Sequence, residues 1–400
     1  MRDIDKRDPD KTGKDELAVD LDAYQVEAED HPYVEDLRAL PEKDAGRFLD
    51  VGIDTRESFR SGTFIQKDSS VIHSCARQEG VEIMGIGQAA ARHSWLKDYL
   101  WRGFDPQADP FVARARQIPH EGYFIRTEPG VELDRPVQSC LYIAKNGFSQ
   151  NVHNIVIAEP GSSMHVITGC ATAPHLDSGL HVGVSEFYVK KGAKLFFTMI
   201  HDWGEQINVR PRTVVHVEEG GVFVSNYISL KAVGSLQMNP TTYLDGPDAV
   251  ARFNSVLVAP RGTTLDVGSR VILNAPGCRA EIISRAITSG GTIIARGELV
   301  GRVAGIKAHL ECKGLIIRDG LMHAIPELQG FKPGVEMSHE AAVGKIDQRE
   351  IEYLMARGID EEEAISTIVR GFLNVDIEGL PPGLAKKLDQ IITETQKDMM

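Results

Sequence analysis

From about Val137 to Ala295 the chain is a succession of short β-branched runs separated by glycine turns, and no long helical pattern interrupts it. Clear runs are 154–158, 164–168, 186–189, 194–200, 213–217, 222–225, 255–259, 270–274, 280–283 and 292–295. Valine, isoleucine, threonine and phenylalanine dominate them, as a pleated, half-buried surface prefers. Pro160-Gly161, Lys191-Gly192, Glu219-Gly220-Gly221, Arg261-Gly262 and Ser289-Gly290-Gly291 punctuate them. Without intervening helices a βαβ sheet is not expected. The intervals Gly192 to Gly220, Gly234 to Gly262 and Gly262 to Gly290 are each about 28 residues. A repeating strand–turn unit predicts a stacked solenoid or β-helix, with a large β-sandwich as the other accommodating fold.

The flanks read differently. Residues 1–130 form a mixed N-terminal region whose charged start is compatible with disorder. Within it, Asp15 to Leu40 has weak helical character and Gln88 to Leu100 reads as a helix. The β core is expected over 131–340 and a helical region over 341–400. In the latter, Ile351, Leu354 and Met355 make one apolar stripe ending at Gly358. Asp360 with Glu363 makes a capping box, followed by Ile365, Ile368, Val369, Phe372 and Leu373. Pro381-Pro382 precedes a third expected helix with Leu384, Leu388, Ile391 and Ile392. Such helices either cap the end of a solenoid or dock a partner.

Composition narrows the function classes. A formal net charge of −13 disfavours nucleic acid and anionic membranes as partners. No apolar run reaches the ~20 residues of a membrane helix, and no signal-peptide core is present, so a cytoplasmic location is expected. Five dispersed cysteines (Cys75, Cys140, Cys170, Cys278 and Cys312) do not form a disulfide framework, and no Cys-x-x-Cys occurs. Gly-x-Ser-x-Gly, His-Glu-x-x-His and P-loop motifs are missing, so the chain is not expected to be an enzyme or to hydrolyse ATP itself. No flavin signature is present either.

Soft-metal chemistry has two candidate segments, His309-Leu310-Glu311-Cys312 and Ser338-His339-Glu340, with His323 between them. Thiolate is the natural ligand of iron–sulfur clusters, and imidazole or carboxylate can replace it at individual irons. Strand alternation sets Lys307, His309 and Glu311 on one face, and Ala308, Leu310 and Cys312 on the other. That apolar face also fits an ordinary buried cysteine. Cys75, Cys140, Cys170 and Cys278 read as structural. His175, His181 and His201, near Asp177 and Asp202, read as solvated loop residues.

Ser338-His339-Glu340-Ala341-Ala342-Val343-Gly344-Lys345-Ile346-Asp347 closely resembles the SufB/SufD iron–sulfur scaffold family. The resemblance continues through Tyr353-Leu354-Met355-Ala356-Arg357-Gly358-Ile359 and Glu361-Glu362-Glu363-Ala364 to Gly371-Phe372-Leu373. It implies a mainly β chain, a right-handed parallel β-helix flanked by an N-terminal mixed region and C-terminal helices. It also implies a SufC-like ABC ATPase docked on those helices through Ile351, Leu354, Met355, Ile365, Ile368, Val369 and Phe372. A transient iron–sulfur cluster would be built at a dimer interface and passed to acceptor apoproteins. Its ligands would be Cys312 and Glu340, with His309 and His339 as second choices. Glutamate at 340 resembles SufB rather than SufD, and the compact length resembles an archaeal homodimeric type, although pairing with a SufD-like paralogue is the other arrangement. The upstream cysteines common in longer relatives are fewer here, so a sulfur-delivery route through the β-helix does not carry over. An accessory SufD-like subunit without a cluster and a β-helix enzyme acting on polysaccharide are the alternative readings.

Overall fold

The computed structural model describes residues 17–53, 55, 60–174, 176–317 and 319–373. They form a parallel β-solenoid of about eight turns, mainly β with a few helices at either end. Two sheets face each other across the solenoid, one of ten strands and one of twelve. The ten-stranded sheet stacks Gly62–Lys67, Val137–Ile143, Ser163–Thr172, Lys194–Asp202, Val222–Ser229, Val250–Pro260, Arg279–Ser289, Lys307–Ile316 and Glu336–Gly344 in parallel. Successive coils repeat with the spacing read from the glycines. Val222 pairs with Val250, Val250 with Arg279, and Arg279 with Lys307.

One turn in every coil holds the coils in step. Its residue with positive φ is Gly130, Gly161, Gly192, Gly220, Asp248, Gly277, Gly305 or Gly334. Up to Gly305, the backbone N–H of each donates to the carbonyl of the next coil's turn: Gly192 to Glu219 at 2.8 Å, Gly220 to Pro247 at 2.8 Å, Gly277 to Gly305 at 3.1 Å and Gly305 to Gly334 at 3.0 Å. Glycine suits this column because it reaches positive φ without a Cβ penalty. Gly262 and Gly290 belong to a second turn, at the end of the ten-stranded sheet's strands.

Between the sheets lies a continuous apolar core that includes Phe64, Phe148, Phe187, Phe223, Leu257, Leu265, Leu299 and Leu310. Each fully buried side chain of this size contributes roughly 1.5–3 kcal/mol. Further cores lie on the outside of the sheets. Helix α1 (Glu42–Asp50) sets Phe48 edge-on to Tyr142, with ring centroids 5.2 Å apart. Helix α2 (Ile86–Arg92) is shorter than the sequence suggests. It stops at His93, whose ring packs against Trp95 and Phe124, and a 3-10 turn covers Ser94–Asp98. Helix α3 (Pro110–Gln117) packs Phe111 and Val112 on Leu180, Val182 and Val184 of the twelve-stranded sheet.

The expected helix over Asp15 to Leu40 does not form in the described part. Residues 17–40 are extended apart from 3-10 turns at Leu21–Ala23 and Leu37–Ala39. Their hydrogen bonds go to the solenoid instead. Gln25 N–H donates to Gly147 O at 2.8 Å, the Arg210 guanidinium donates to Leu17 O at 2.9 Å, and His31 pairs with Asp68 at 2.8 Å. A segment without an apolar stripe gains more from this edge contact than from a lone helix.

The two ends of the solenoid differ. At the N-terminal end, Ser70–Ala76 and Val81–Gly85 pair antiparallel with the first strands and stop the stack. At the other end, Leu321–Gly330 and Glu336–Gly344 are the last strands of their sheets, and nearly every residue of the latter is exposed. Helices α4 (Gln348–Met355) and α5 (Glu361–Leu373) follow. Asp347 caps α4 by accepting from Arg349 N–H at 2.9 Å, and Asp360 caps α5 by accepting from Glu363 N–H at 2.9 Å. Val369 and Leu373 of α5 pack on the outer face of the ten-stranded sheet with Val256, Val258 and Ile287. The third expected helix, with Leu384, Leu388, Ile391 and Ile392, lies outside the described residues. No described helix is long and apolar enough to cross a membrane.

The turn column predicts unequal costs for two similar substitutions. A Cβ on Gly277 would press on the Asp248 carboxylate, whereas one on Gly305 meets open space. Both glycines have positive φ, 75° and 76°. Gly305→Ala is expected to cost about 1 kcal/mol from backbone strain alone, and Gly277→Ala about 2–3 kcal/mol. Urea unfolding of the two variants beside the wild type checks the order.

Candidate functional site at the open end of the solenoid

The candidate ligands lie on the last two strands of the ten-stranded sheet, at its open end. In the parallel register His309 pairs with Ser338, Leu310 with His339, Glu311 with Glu340 and Cys312 with Ala341. Side chains alternate between lumen and exterior along each strand. Cys312 and Leu310 are fully buried and belong to the luminal core. His339 shares their column but stands exposed, because no further coil covers the last strand. His309, Glu311 and Glu340 project from the outer face. The structure thus groups the four candidates as a luminal pair, Cys312 and His339, and an outer pair, His309 and Glu340. His323 sits exposed on the neighbouring strand Leu321–Gly330.

Burial controls the chemistry of Cys312. Desolvation pushes its thiol up to about 11, and the nearby Arg285 guanidinium only partly offsets this. The resting group is a thiol, and a soft cation would have to displace its proton. The outer face is governed by ion pairs. Lys313 Nζ lies 3.0 Å from Glu311 Oε2 and 3.4 Å from Glu340 Oε1, and Arg285 pairs with the other Glu311 oxygen. Burial raises the Glu311 carboxyl, but hydrogen bonds from Lys313 and Arg285 outweigh that and hold it below its ordinary value. His309 Nδ1 is 2.9 Å from Ser338 Oγ, and Lys307 pairs with Glu336 at 3.0 Å. Among the described residues no group of three or more His, Cys, Asp or Glu side chains is gathered in metal-binding geometry.

The C-terminal apolar positions divide into two sets. Ile351 and Val369 are buried, and Ile365 and Phe372 pack against the outer-face core. Leu354 and Ile368 instead line a surface groove with Asp347, Arg349, Glu350 and Tyr353. Beside it Tyr353 is 57% exposed and Met355 42%.

His181 and His201 are not solvated loop residues, as their acidic neighbours suggested. Both lie in strands, and both rings point into the lumen. His181 Nδ1 is 3.0 Å from Gln150 Oε1, and His201 Nδ1 is 2.8 Å from Tyr227 OH. Trp203 packs against both, with ring centroids 4.9 Å from His181 and 5.4 Å from His201. Their parity with Phe187 and Phe197 was the available signal, since those phenylalanines set the luminal face of the same strands. Asp202 is likewise buried and pairs with Arg47 and Lys231, both at 2.8 Å. His175 lies outside the described residues. Of the remaining cysteines, Cys170 and Cys278 face the luminal core, Cys140 faces the outer core under α1, and Cys75 is half-buried on the N-terminal edge strand.

Comparison with known proteins gives one consistent result. A family profile described as "SUF system FeS cluster assembly, SufBD core domain" matches residues 141–372. An iron–sulfur cluster assembly SufBD family protein of Archaeoglobus fulgidus is 49% identical over 89% of this chain and 96% of its own length. One from Methanothermobacter thermautotrophicus (strain Winter) is 46% identical over 95% of both chains. Another from Pyrococcus horikoshii is 28% identical over 90% of this chain and 82% of its own.

The luminal histidines predict a pH dependence of stability. Burial lowers His181 to about 3 and holds His201 well below its ordinary value. The folded chain keeps both rings neutral, while the unfolded chain takes up protons below about pH 6.5. The stability they contribute is therefore complete above that pH and is lost as pH falls toward 3. Stability should decline over that range, and His181→Gln should flatten the decline, as measured by urea unfolding at a series of pH values.

Proposed function

The chain belongs to the SufBD family of iron–sulfur cluster assembly proteins, and from that premise we propose that it is the scaffold subunit on which a labile cluster is built. The cluster is cargo, held transiently and passed to acceptor apoproteins. One observation carries this reading: Cys312 and Glu340 lie on adjacent strands at the open end of the solenoid, one facing the lumen and one the exterior. A single copy does not bring them together. A second copy docked on the same end would complete the ligand set from both protomers, with His339 and His309 at hand. The uncovered edge strand offers such a copy a row of unpaired backbone groups. A SufD-like paralogue could take the same place.

The Cys312 thiol would supply the soft ligand, losing its proton as iron binds. Glu340 would supply a harder oxygen donor. A mixed set of this kind holds a cluster less firmly than four thiolates, which suits delivery. In this reading the chain is not itself a catalyst. ATP hydrolysis belongs to a SufC-like ABC ATPase docked at the groove between α4 and α5, where Leu354, Ile368, Tyr353 and Met355 are accessible. Ile365, Val369 and Phe372 anchor α5 to the sheet instead. Val369 and Leu373 share an apolar cluster with Ile287, whose strand pairs with the strand of Cys312. Movement of the helices would therefore reach the ligand strand through packed side chains. We place the complex in the cytoplasm.

Anaerobic co-expression with the ATPase, followed by iron and sulfide analysis, tests the proposal. The wild-type complex should be coloured and contain both, and Cys312→Ser should lose most of the iron while the fold persists. A stable complex without iron in either form would point to an accessory SufD-like role. Leu354→Asp at the groove should weaken ATPase co-purification by at least tenfold, and Lys307→Gln, at the first residue of the strand Lys307–Ile316 and outside the groove, should leave it unchanged.

A further inference from the structure

The outer face of the last two coils carries a charge arrangement that cluster ligation by itself does not require. Glu311 and Glu340 are register partners on neighbouring strands, and two carboxylates so placed repel each other. Lys313, two residues beyond Glu311 on the same face, reaches both. Its Nζ is 3.0 Å from Glu311 and 3.4 Å from Glu340. Glu311 has Arg285 as a second cationic partner. The only ion pair of Glu340 among the described residues is with Lys313. Strand alternation sets Glu340 on the outer face, opposite the side from which Cys312 projects into the lumen, and the contact with Lys313 occupies its carboxylate there.

We propose that Lys313 is the resident counter-cation of Glu340, a positioning residue that an incoming iron cation has to displace before the carboxylate can serve as a ligand. The inference rests on the reading of Glu340 as a cargo ligand. The contact is built for exchange. It is a single ammonium–carboxylate contact with Glu340 half-exposed, so a divalent cation competes with it directly. Once displaced, Lys313 stays tethered by Glu311, which Arg285 fixes in place, and it can return when the metal leaves. Each carboxylate thus keeps a cationic partner in both states, Glu340 exchanging Lys313 for the metal and Glu311 retaining Arg285. The arrangement disfavours casual capture of divalent cations and favours release.

Anaerobic titration of the full-length chain with ferrous iron, followed by calorimetry, tests this. Lys313→Gln should bind ferrous iron roughly 5- to 20-fold more tightly, as expected for removing one positive charge within a few ångströms of a divalent ion in a solvated site. Lys313→Arg should retain the wild-type affinity. Glu340→Gln should weaken binding and abolish the gain in the double variant. Unchanged or weaker binding by Lys313→Gln, with Glu340→Gln still impaired, would overturn the counter-cation role and leave Glu340 as a ligand. Iron binding unaffected by Glu340→Gln, or absent from every variant, would overturn both readings.

Discussion

Everything in this molecule depends on the hydrogen bonds that join one coil to the next in fixed register. Each coil alone is a strand–turn unit with no means of burying its own face. Stacking pairs the backbone groups of neighbouring strands and closes the apolar lumen at the same time. The column of residues with positive φ, from Gly130 to Gly334, keeps these stacks aligned, because a slip of one residue would turn every luminal side chain outward. Asp248 is the one non-glycine in that column, and its side chain fills the space where a Cβ on Gly277 would sit.

That alignment sets what each side chain can do. Alternation along the strand Lys307–Ile316 sends Cys312 into the lumen and Glu311 and Lys313 outside. Residues close in sequence are thereby separated by the thickness of a sheet. Residues about one coil apart, such as Glu311 and Glu340, become neighbours. The raised thiol of Cys312 and the paired carboxylate of Glu311 are consequences of this sorting, since one side is dry and the other wet.

Much of this was legible in the sequence. The spacing of Gly192 and Gly220 reflects the turn column, and the β-branched runs fall inside the observed strands. Asp360 and Glu363 announced the start of α5 correctly, because capping is a local interaction. Long-range partners were harder to read. The segment before Leu40 follows the solenoid's edge, and no local pattern records that choice. His181 and His201 looked solvent-facing beside Asp177 and Asp202, yet strand parity places both in the lumen. Alternation did put Cys312 on the apolar face of its strand, the face that is buried. It could not show that Glu340 lies across the sheet from it, because that depends on pairing between coils.

The unequal ends of the solenoid bear on how far such a molecule can assemble. A stack of parallel coils exposed at both ends could add copies head to tail without limit and grow into a fibre. Here the antiparallel strands Ser70–Ala76 and Val81–Gly85 break the parallel stack at one end. Head-to-head stacking at the other end would use up both open edges in a single event, leaving nothing to extend. The antiparallel strands thus interrupt the parallel ladder at one end, so that among the described residues the two ends of the solenoid present edges of different kinds and a head-to-tail repeat has no matching pair.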